Sequence, residues 1–144
     1  MTERTLADIA KAMKDIDFAM LNTHADGGAI GARPMSNNAQ VDYTGDSYYF
    51  TTDDTVMVAD IARDPQVGLS FQGKAGMLGL RPFFVAVEGR ADLVRDRAAF
   101  AEHWTSDLDR WFERGIDTPG LVLIHVRADR LHWWDGEEEG ELRP

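Results

Sequence analysis

Apolar residues recur at three- and four-residue intervals near the start of the chain, and further on they alternate with polar ones. The first pattern, with the capping pair Thr5 and Asp8, predicts a helix over residues 5–16. A second helical stripe over 57–62 ends at Asp64-Pro65. The strands predicted in this half of the chain are 18–24, 31–37 with a continuation through 40–43, 48–52 and 67–72.

The second half of the chain continues this mixture. Residues 83–94 form a long predicted strand, and 121–126 and 131–134 predict two more. A helix with a break near Ser106 is predicted by an aromatic stripe, whose members are Phe100, Trp104, Leu108 and Trp111. The fold class is therefore mainly β: a small barrel of six or more mostly antiparallel strands with peripheral helices.

The composition fits a single domain spanning residues 1–144. Of the 144 residues, 44% are hydrophobic, which is enough for a core. The net charge of −10 argues against nucleic acid or an anionic membrane as partner, since phosphates require a basic surface. Residues 135–144 are acidic and are expected to form a flexible tail. Without cysteine or a long apolar run, we expect a cytoplasmic protein that lacks disulfides.

Three common catalytic patterns are incomplete in this chain. The stretch GLSFQGK, residues 68–74, matches the first seven positions of a Walker loop, but Ala75 replaces the Ser or Thr that holds magnesium. The four histidines, which show no metal-ligand spacing, are His24, His103, His125 and His132. No serine occupies a nucleophile elbow. An NTPase, a metalloenzyme and a hydrolase are therefore not indicated.

A candidate ligand site begins in the segment GARPMSN, residues 31–37. Pro34 cannot donate to a strand ladder, and it holds the preceding Arg33 extended. Further along, hydroxyl groups cluster where a strand leads into a helix; they belong to Thr51, Thr52 and Thr55. Because a guanidinium and a helix N-terminus both attract phosphate, these residues are candidates for holding a phosphorylated ligand.

The same residues also fit a purely structural interpretation. An Arg-Pro pair occurs in edge strands, and Thr-Thr-Asp-Asp-Thr is a good capping sequence for a helix. Asp53 and Asp54 would repel a phosphate unless they turn outward. The residues alone leave both interpretations open.

Six segments follow one another along nearly the whole chain. They are GARPMS, YYFTTDDT, ARDPQVGLSF, VEGRADLVRDRAAFAEHW, WFERGIDTPGLVLIHV and LHWWDG. In this order they resemble the pyridoxamine 5′-phosphate oxidase-like, FMN-binding split-barrel superfamily, and within it the general stress protein branch. The resemblance implies a split β-barrel that forms a homodimer, with flavin sites in two clefts between the subunits.

The resemblance also implies which residues meet the flavin. Those along the ring system are Arg33, Pro34 and Met35. Those that face the ring and the ribityl chain are Phe50, Thr51 and Thr52. Those near the phosphate are Thr55, Val56 and Met57, and the other subunit would contribute Trp111 or Phe112.

Two departures from the family pattern matter. Pyridoxamine phosphate oxidases place a basic pair where this chain has Val56 and Met57, so FMN binding is weakened or room is left for FAD. Lys74 or Arg81 would have to compensate. The oxidases also carry an Arg-x-His element after their last tryptophan, whereas this chain continues from Trp134 into acidic residues. Oxidation of pyridoxamine phosphate is therefore not expected.

We expect a flavin-binding general stress protein, with FMN or FAD as cofactor and a redox or flavin-carrying role. Any turnover would be that of a flavin-dependent oxidoreductase, and no side chain stands out as its acid or base. Two alternatives stay open: a dimeric barrel that has lost flavin binding, and a split barrel that uses deazaflavin or haem. Haem is disfavoured because no histidine lies in the cofactor segments.

Overall fold

The computed structural model describes residues 3–37, 42–73 and 82–144 and confirms a mainly β fold. Within these ranges the strands are β1 (Phe18–His24), β2 (Ile30–Ser36), β3 (Asp46–Thr52), β4 (Gln66–Gln72), β5 (Phe83–Val94), β6 (Leu121–Asp135) and β7 (Glu138–Leu142). The helices are α1 (Leu6–Met13), α2 (Val56–Arg63) and α3 (Arg97–His103). In the part of the chain described, no helix is long and apolar enough to cross a membrane.

Six strands form one antiparallel sheet in the order β2-β1-β4-β5-β6-β3, which curls into a half-barrel. β2 and β3 are the two edges of this sheet. β7 pairs with the second half of β6, beyond the part that pairs with β3. The predicted split barrel of at least six mostly antiparallel strands is confirmed, while part of the predicted continuation of β2 through 40–43 lies outside the described residues.

One long strand, β6, replaces the two strands predicted in this region. Its pairing with β5 shifts between Glu88 and Gly89, which leaves Asp129 as an extra residue on β6. Such a bulge displaces the alternation of apolar and polar positions by one residue. The sequence pattern is therefore interrupted in the middle of a continuous strand.

Local signals position the helices as predicted. Thr5 and Asp8 form a capping box, because Thr5 Oγ1 accepts from the Asp8 N–H at 3.2 Å and the Asp8 carboxylate accepts from the Thr5 N–H at 2.9 Å. Ile9 and Met13 then bury the apolar face of α1. α3 ends at His103, close to the predicted break.

Two clusters form the core. The larger fills the inside of the curled sheet and includes residues of α1 and α2. The smaller lies between β3, β6 and α3; its buried members are Phe50, Phe100, Leu108, Leu121 and Leu123. The aromatic stripe therefore packs only in part, since Trp104 is half-buried while Trp111 stays 57% exposed.

The acidic C-terminal run contains an ordered strand, which corrects the expectation of a flexible tail over 135–144. β7 pairs with β6 from Leu131 to Asp135. Two arginines offset charges of the run, Arg4 by its contact with Glu138 (3.1 Å) and Arg130 by its contact with Glu141, while His132 contacts Glu139 at 2.7 Å. A hydrogen bond from Arg130 lowers the pKa of Glu141. The run pairs because its basic partners lie on β6 and at the N-terminus.

Replacing Gly89 by Ala should destabilise the protein more than the same change at Gly68 on the neighbouring strand. A Cβ at Gly89 would lie 2.4 Å from the Arg127 carbonyl oxygen, a backbone atom of the bulge that cannot move aside. A Cβ at Gly68 would meet nothing closer than 3.5 Å. We expect Gly89→Ala to lower the free energy of unfolding by about 2–3 kcal/mol and Gly68→Ala by less than about 1 kcal/mol. Urea unfolding measures both, and equal losses would contradict this account of the bulge.

Candidate functional site

The edge position of β2 explains how this strand tolerates Pro34. β2 pairs with β1, and Pro34 stands opposite Met20 with its side chain exposed. A proline is accepted at such an edge because the missing N–H leaves no neighbouring strand unpaired. Arg33 and Met35 point to the other face, where both are half-buried and Met35 packs against the larger core cluster.

The Arg33 side chain folds back over Gly31 of its own strand. A Cβ on Gly31 would lie 2.8 Å from Arg33 Nη2, so the glycine leaves the space that the guanidinium occupies. Arg33 Nη1 donates to the Leu21 carbonyl oxygen at 3.2 Å and to Thr23 Oγ1 at 2.8 Å. Arg33 Nη2 lies 3.7 Å from Asp60 Oδ2, and the side chain is 24% exposed. The guanidinium is thus anchored to the protein yet partly accessible.

Asp60, which is absent from the predicted site, is the buried centre of this arrangement. The residue is 2% exposed and its carboxylate accepts a hydrogen bond from Thr23 Oγ1 at 2.9 Å and another from Arg63 at 3.1 Å. Arg63 also donates to the His24 carbonyl oxygen at 3.1 Å. Two guanidinium groups and a hydroxyl therefore compensate the buried charge. A signal for it exists in the sequence, because Asp60 is the acidic residue in the apolar stripe of α2, three positions before Arg63.

Threonine hydroxyls organise the junction between β3 and α2. Thr55 is the N-cap: its Oγ1 accepts from the Val58 N–H at 3.3 Å and donates to the Thr52 carbonyl oxygen at 3.2 Å. Thr52 Oγ1 donates to the Asp54 carboxylate at 2.6 Å. These bonds fix the start of α2, where the side chain of Val56 is 71% exposed.

The two aspartates before α2 are exposed, and both are engaged by other groups. Arg95 donates to the Asp53 carboxylate at 2.6 Å, and Asp54 accepts the hydrogen bond from Thr52. Thr55, rather than either aspartate, caps the helix. Asp53 is thus paired with a cation, whereas Asp54 keeps its charge beside Thr52, one of the predicted cofactor residues.

The predicted flavin residues fall into separate groups. One lies on edge strand β2 and consists of Arg33, Pro34 and Met35. Another lies where the opposite edge strand enters α2 and consists of Thr51, Thr52, Thr55 and Val56. The contact between Arg33 and Asp60 joins the first group to α2. Phe50 and Met57 are 6% exposed and pack in the core, so any contact they make with a flavin would have to come from their backbone.

Trp111 follows a 3₁₀ turn and projects from the surface. The Arg110 guanidinium lies 5.0 Å from its ring centre. Phe112 instead packs edge-on against Trp104, with ring centres 5.8 Å apart. Of the two aromatic residues predicted to reach a partner subunit, Trp111 is therefore the more available, and that role stays a prediction. Lys74 and Arg81, the candidate replacements for the missing basic pair, lie outside the described residues.

An exposed apolar surface, here called the outer apolar face, lies on the convex side of the sheet. Its large members are Phe18, Met20, Phe84 and Trp134. Between them lie Ser70, which stands opposite Met20 on one side and Ala86 on the other, and the exposed Gln72, which stands opposite Phe84. An exposed apolar surface of this kind suits a protein partner.

Comparison with known proteins assigns this architecture to a family. The sequence model described as pyridoxamine 5′-phosphate oxidase-like matches residues 4–143. A search among curated proteins finds no match.

Solved structures of the same fold cover most of the chain. A Clostridium acetobutylicum protein related to general stress protein 26 superimposes with a TM-score of 0.83 at 16% identity, over 99% of this chain and 96% of that one. The general stress FMN/FAD binding protein of Xanthomonas citri superimposes with a TM-score of 0.74 at 25% identity, over 92% of this chain and 89% of that one. A heme binding protein from Mycobacterium smegmatis superimposes with a TM-score of 0.77 at 18% identity, over 99% of this chain and 60% of that one. Proteins described as binding different cofactors thus share this fold.

Replacing Asp60 by Asn should destabilise the protein strongly. The change keeps the shape of the side chain but removes the counter-charge of Arg33 and Arg63, and because both guanidiniums are partly exposed we expect a loss of about 1.5–3 kcal/mol. Asp54→Asn is the matched control, because Asp54 is exposed and a surface change of this kind is worth about 0.5 kcal/mol. Thermal and urea unfolding measure both variants, and a loss for Asp60→Asn no larger than for the control would refute the central role of Asp60.

Proposed function

This chain belongs to the pyridoxamine 5′-phosphate oxidase-like family, and we propose that it is a flavin-binding general stress protein. FMN or FAD would be the cofactor, and the role would be redox chemistry or flavin carriage. The proposal is supported by the Xanthomonas citri protein described as FMN/FAD binding, which is 25% identical over 92% of this chain. Oxidation of pyridoxamine phosphate is not part of it, for the reasons found in the sequence.

The start of α2 is the feature that supports flavin binding best. Its first turn, Val56–Val58, has no acidic side chain, and the helix dipole there favours an anion such as a phosphate. Arg95 pairs with Asp53 and offsets its charge, whereas the Asp54 carboxylate accepts only the Thr52 hydroxyl. The exposed Val56 would be covered by a bound cofactor or a partner subunit. Backbone N–H groups would thus take the place of the missing basic pair.

Arg33 would orient the flavin ring rather than grip the phosphate. Its charge is already shared with Asp60, so its remaining donors suit a neutral acceptor, such as a ring carbonyl, better than a dianion. The isoalloxazine, when bound, would supply any electron transfer. The chain itself would supply binding and orientation.

A homodimer is part of the proposal, with the outer apolar face as its interface. Phe18, Met20, Phe84 and Trp134 would be removed from water by a second copy of the chain. The small side chains between them, Ser70 and Ala86, would let the two sheets approach closely. Trp111, which is 57% exposed, is the candidate to reach the flavin site of the partner.

The absorbance spectrum of the purified protein separates this proposal from its alternatives. The bands of an oxidised flavin support it, whereas a Soret band would indicate haem, as in the Mycobacterium smegmatis relative. A colourless protein that also ignores added FMN and FAD would indicate a dimeric barrel that has lost flavin binding.

Replacing Arg33 by Ala should weaken flavin binding by about tenfold or more, because one charge-assisted hydrogen bond is lost. Arg63→Ala is the matched control, since it removes the other guanidinium beside Asp60 without touching β2. Both variants should lose stability, but only the first should lose affinity in a fluorescence titration with FMN and FAD. Unchanged affinity in Arg33→Ala would remove Arg33 from the site, and an equal loss in both would trace the effect to folding.

Replacing Met20 by Glu should convert the proposed dimer to monomers, because a charge would be placed within the outer apolar face. Lys11→Glu, which adds negative charge on exposed α1, is the control and should leave the dimer intact. Light scattering coupled to size-exclusion chromatography gives the mass of each. A wild-type monomer, or a Met20→Glu dimer, would exclude this face as the interface.

A further inference from the structure

Arg95, which is absent from the predicted site, lies beside the segment that leads into α2. Its Nη2 contacts the Asp53 carboxylate at 2.6 Å. Asp53 is a central residue of the turn before the helix, because the Thr55 N–H donates to the Thr52 carbonyl oxygen at 3.4 Å. A cation is therefore held two residues before the helix cap, directly ahead of the stretch where oxidases of the family carry a basic pair.

The register of the sheet brings Arg95 to this point. β3 and β5 both pair with β6 in the antiparallel sense, so their C-terminal ends lie at the same end of the sheet. Val94 is the last residue of β5 and pairs with Leu123, which pairs in turn with Phe50 of β3. Arg95 comes one residue later, at the level of the predicted cofactor residue Thr51. Its position beside the proposed flavin site thus follows from strand pairing.

The ion pair between Arg95 and Asp53 is exposed, so a ligand can replace its carboxylate. The side chains are 53% and 56% accessible, and an exposed pair of this kind contributes little to stability. A guanidinium carries several N–H donors, and among the described residues Arg95 uses one of them, toward Asp53. The side chain can therefore turn to a phosphate without loss of a buried contact.

The other arginines that contact α2 lack this freedom. Arg33 and Arg63 both face the carboxylate of Asp60, which is buried and needs its counter-charges in place. Asp53 stays in contact with water when Arg95 moves away. Arg95 is thus the arginine of this region, within the part of the chain described, that can give its charge to a ligand.

The local charge balance makes Arg95 important for a phosphate. A phosphate monoester carries a charge of about −1.5 to −2 at pH 7. Two carboxylates, those of Asp53 and Asp54, stand in the turn before α2, and Arg95 is the cation paired with one of them. Without Arg95 both carboxylates would oppose the phosphate.

We propose that Arg95 binds the phosphate of the flavin in this chain, in place of the basic pair of the oxidases. The inference rests on the proposed flavin function. The guanidinium donates charge-assisted hydrogen bonds to phosphate oxygens, and Asp53 keeps it at the site when no ligand is bound. Its contribution is confined to phosphorylated flavins, so riboflavin, which has the same ring and no phosphate, gains nothing from it.

Fluorescence titrations of the full chain with FMN and with riboflavin test this assignment. Arg95→Gln should weaken FMN binding by about tenfold or more, the equivalent of one hydrogen bond between charged groups, and should change riboflavin binding by less than about twofold. Asp53→Asn, which releases Arg95 from its carboxylate, should tighten FMN binding by about two- to fivefold.

The matched control is Arg97→Gln. Arg97 lies two residues further on, is 64% exposed and contacts Asp117 at 2.6 Å, so the same charge and the same kind of ion pair are removed away from α2. It should change the affinity for either flavin by less than about twofold. An FMN loss as large as that of Arg95→Gln would assign the effect to net charge and overturn the role of Arg95.

The remaining contrary results separate this inference from the proposed function. If the wild-type chain binds neither riboflavin, FMN nor FAD, the proposed function fails and the assignment of Arg95 fails with it. If flavins bind but Arg95→Gln keeps the wild-type affinity for FMN, only the assignment fails. An equal loss for FMN and riboflavin in Arg95→Gln also overturns it, because the effect would not depend on the phosphate.

Discussion

The buried carboxylate of Asp60 is the charge on which one end of this barrel depends. A carboxylate this far from water must keep cations beside it, and they come from two different elements. Arg33 belongs to the edge strand β2, whereas Arg63 belongs to α2 itself. Because α2 directly follows β3, the contact ties one edge of the open sheet to the other through side chains. This contact holds the candidate ligand residues on β2 in a fixed position relative to those at the start of α2.

This pairing changes what Arg33 can contribute to the proposed flavin site. A free guanidinium would attract a phosphate dianion, but Arg33 shares its charge with Asp60 and uses Nη1 within the protein. The chain also has Val56 and Met57 where oxidases of the family carry a basic pair. Both features reduce the positive charge that is available to bind a phosphate. Affinity would then depend more on the helix start and on contacts with the ring, a balance that also accommodates FAD.

Short-range patterns were sufficient to predict most of the fold. The capping box of Thr5 and Asp8 is local, so it appears in the sequence as it does in the structure, and the capping stretch before α2 was recognised without showing which residue caps. The bulge at Asp129 and the pairing of β7 were not predictable, because each depends on residues distant in sequence. From the sequence alone, a run of acidic residues predicts a solvent-exposed segment, because the positions of its basic partners are known only from the structure.

The site was predictable as a set of segments but not as a set of exposed side chains. Val56 and Met57 are adjacent in sequence, yet one is 71% exposed and the other is 6% exposed, because successive helical residues point in different directions. Asp60 was not predicted because a single acidic residue in a short amphipathic helix is usually solvent-exposed. Its partners on β1 and β2 are distant in sequence and are identified only in the structure.

The division between framework and edges bears on how one fold serves different cofactors. The larger core cluster consists of apolar side-chain contacts, and β1, β4, β5 and β6 are joined by backbone hydrogen bonds. Neither depends on a bound ligand. The polar groups that could contact a ligand lie on the two edge strands, β2 and β3, and at the start of α2. Substitutions there leave the pairing of the inner strands unchanged, so relatives described as binding FMN/FAD or heme can keep one architecture. Cofactor preference in this chain should therefore be determined by residues at the edges of the sheet, beginning with Arg33, whose positive charge is partly offset by Asp60.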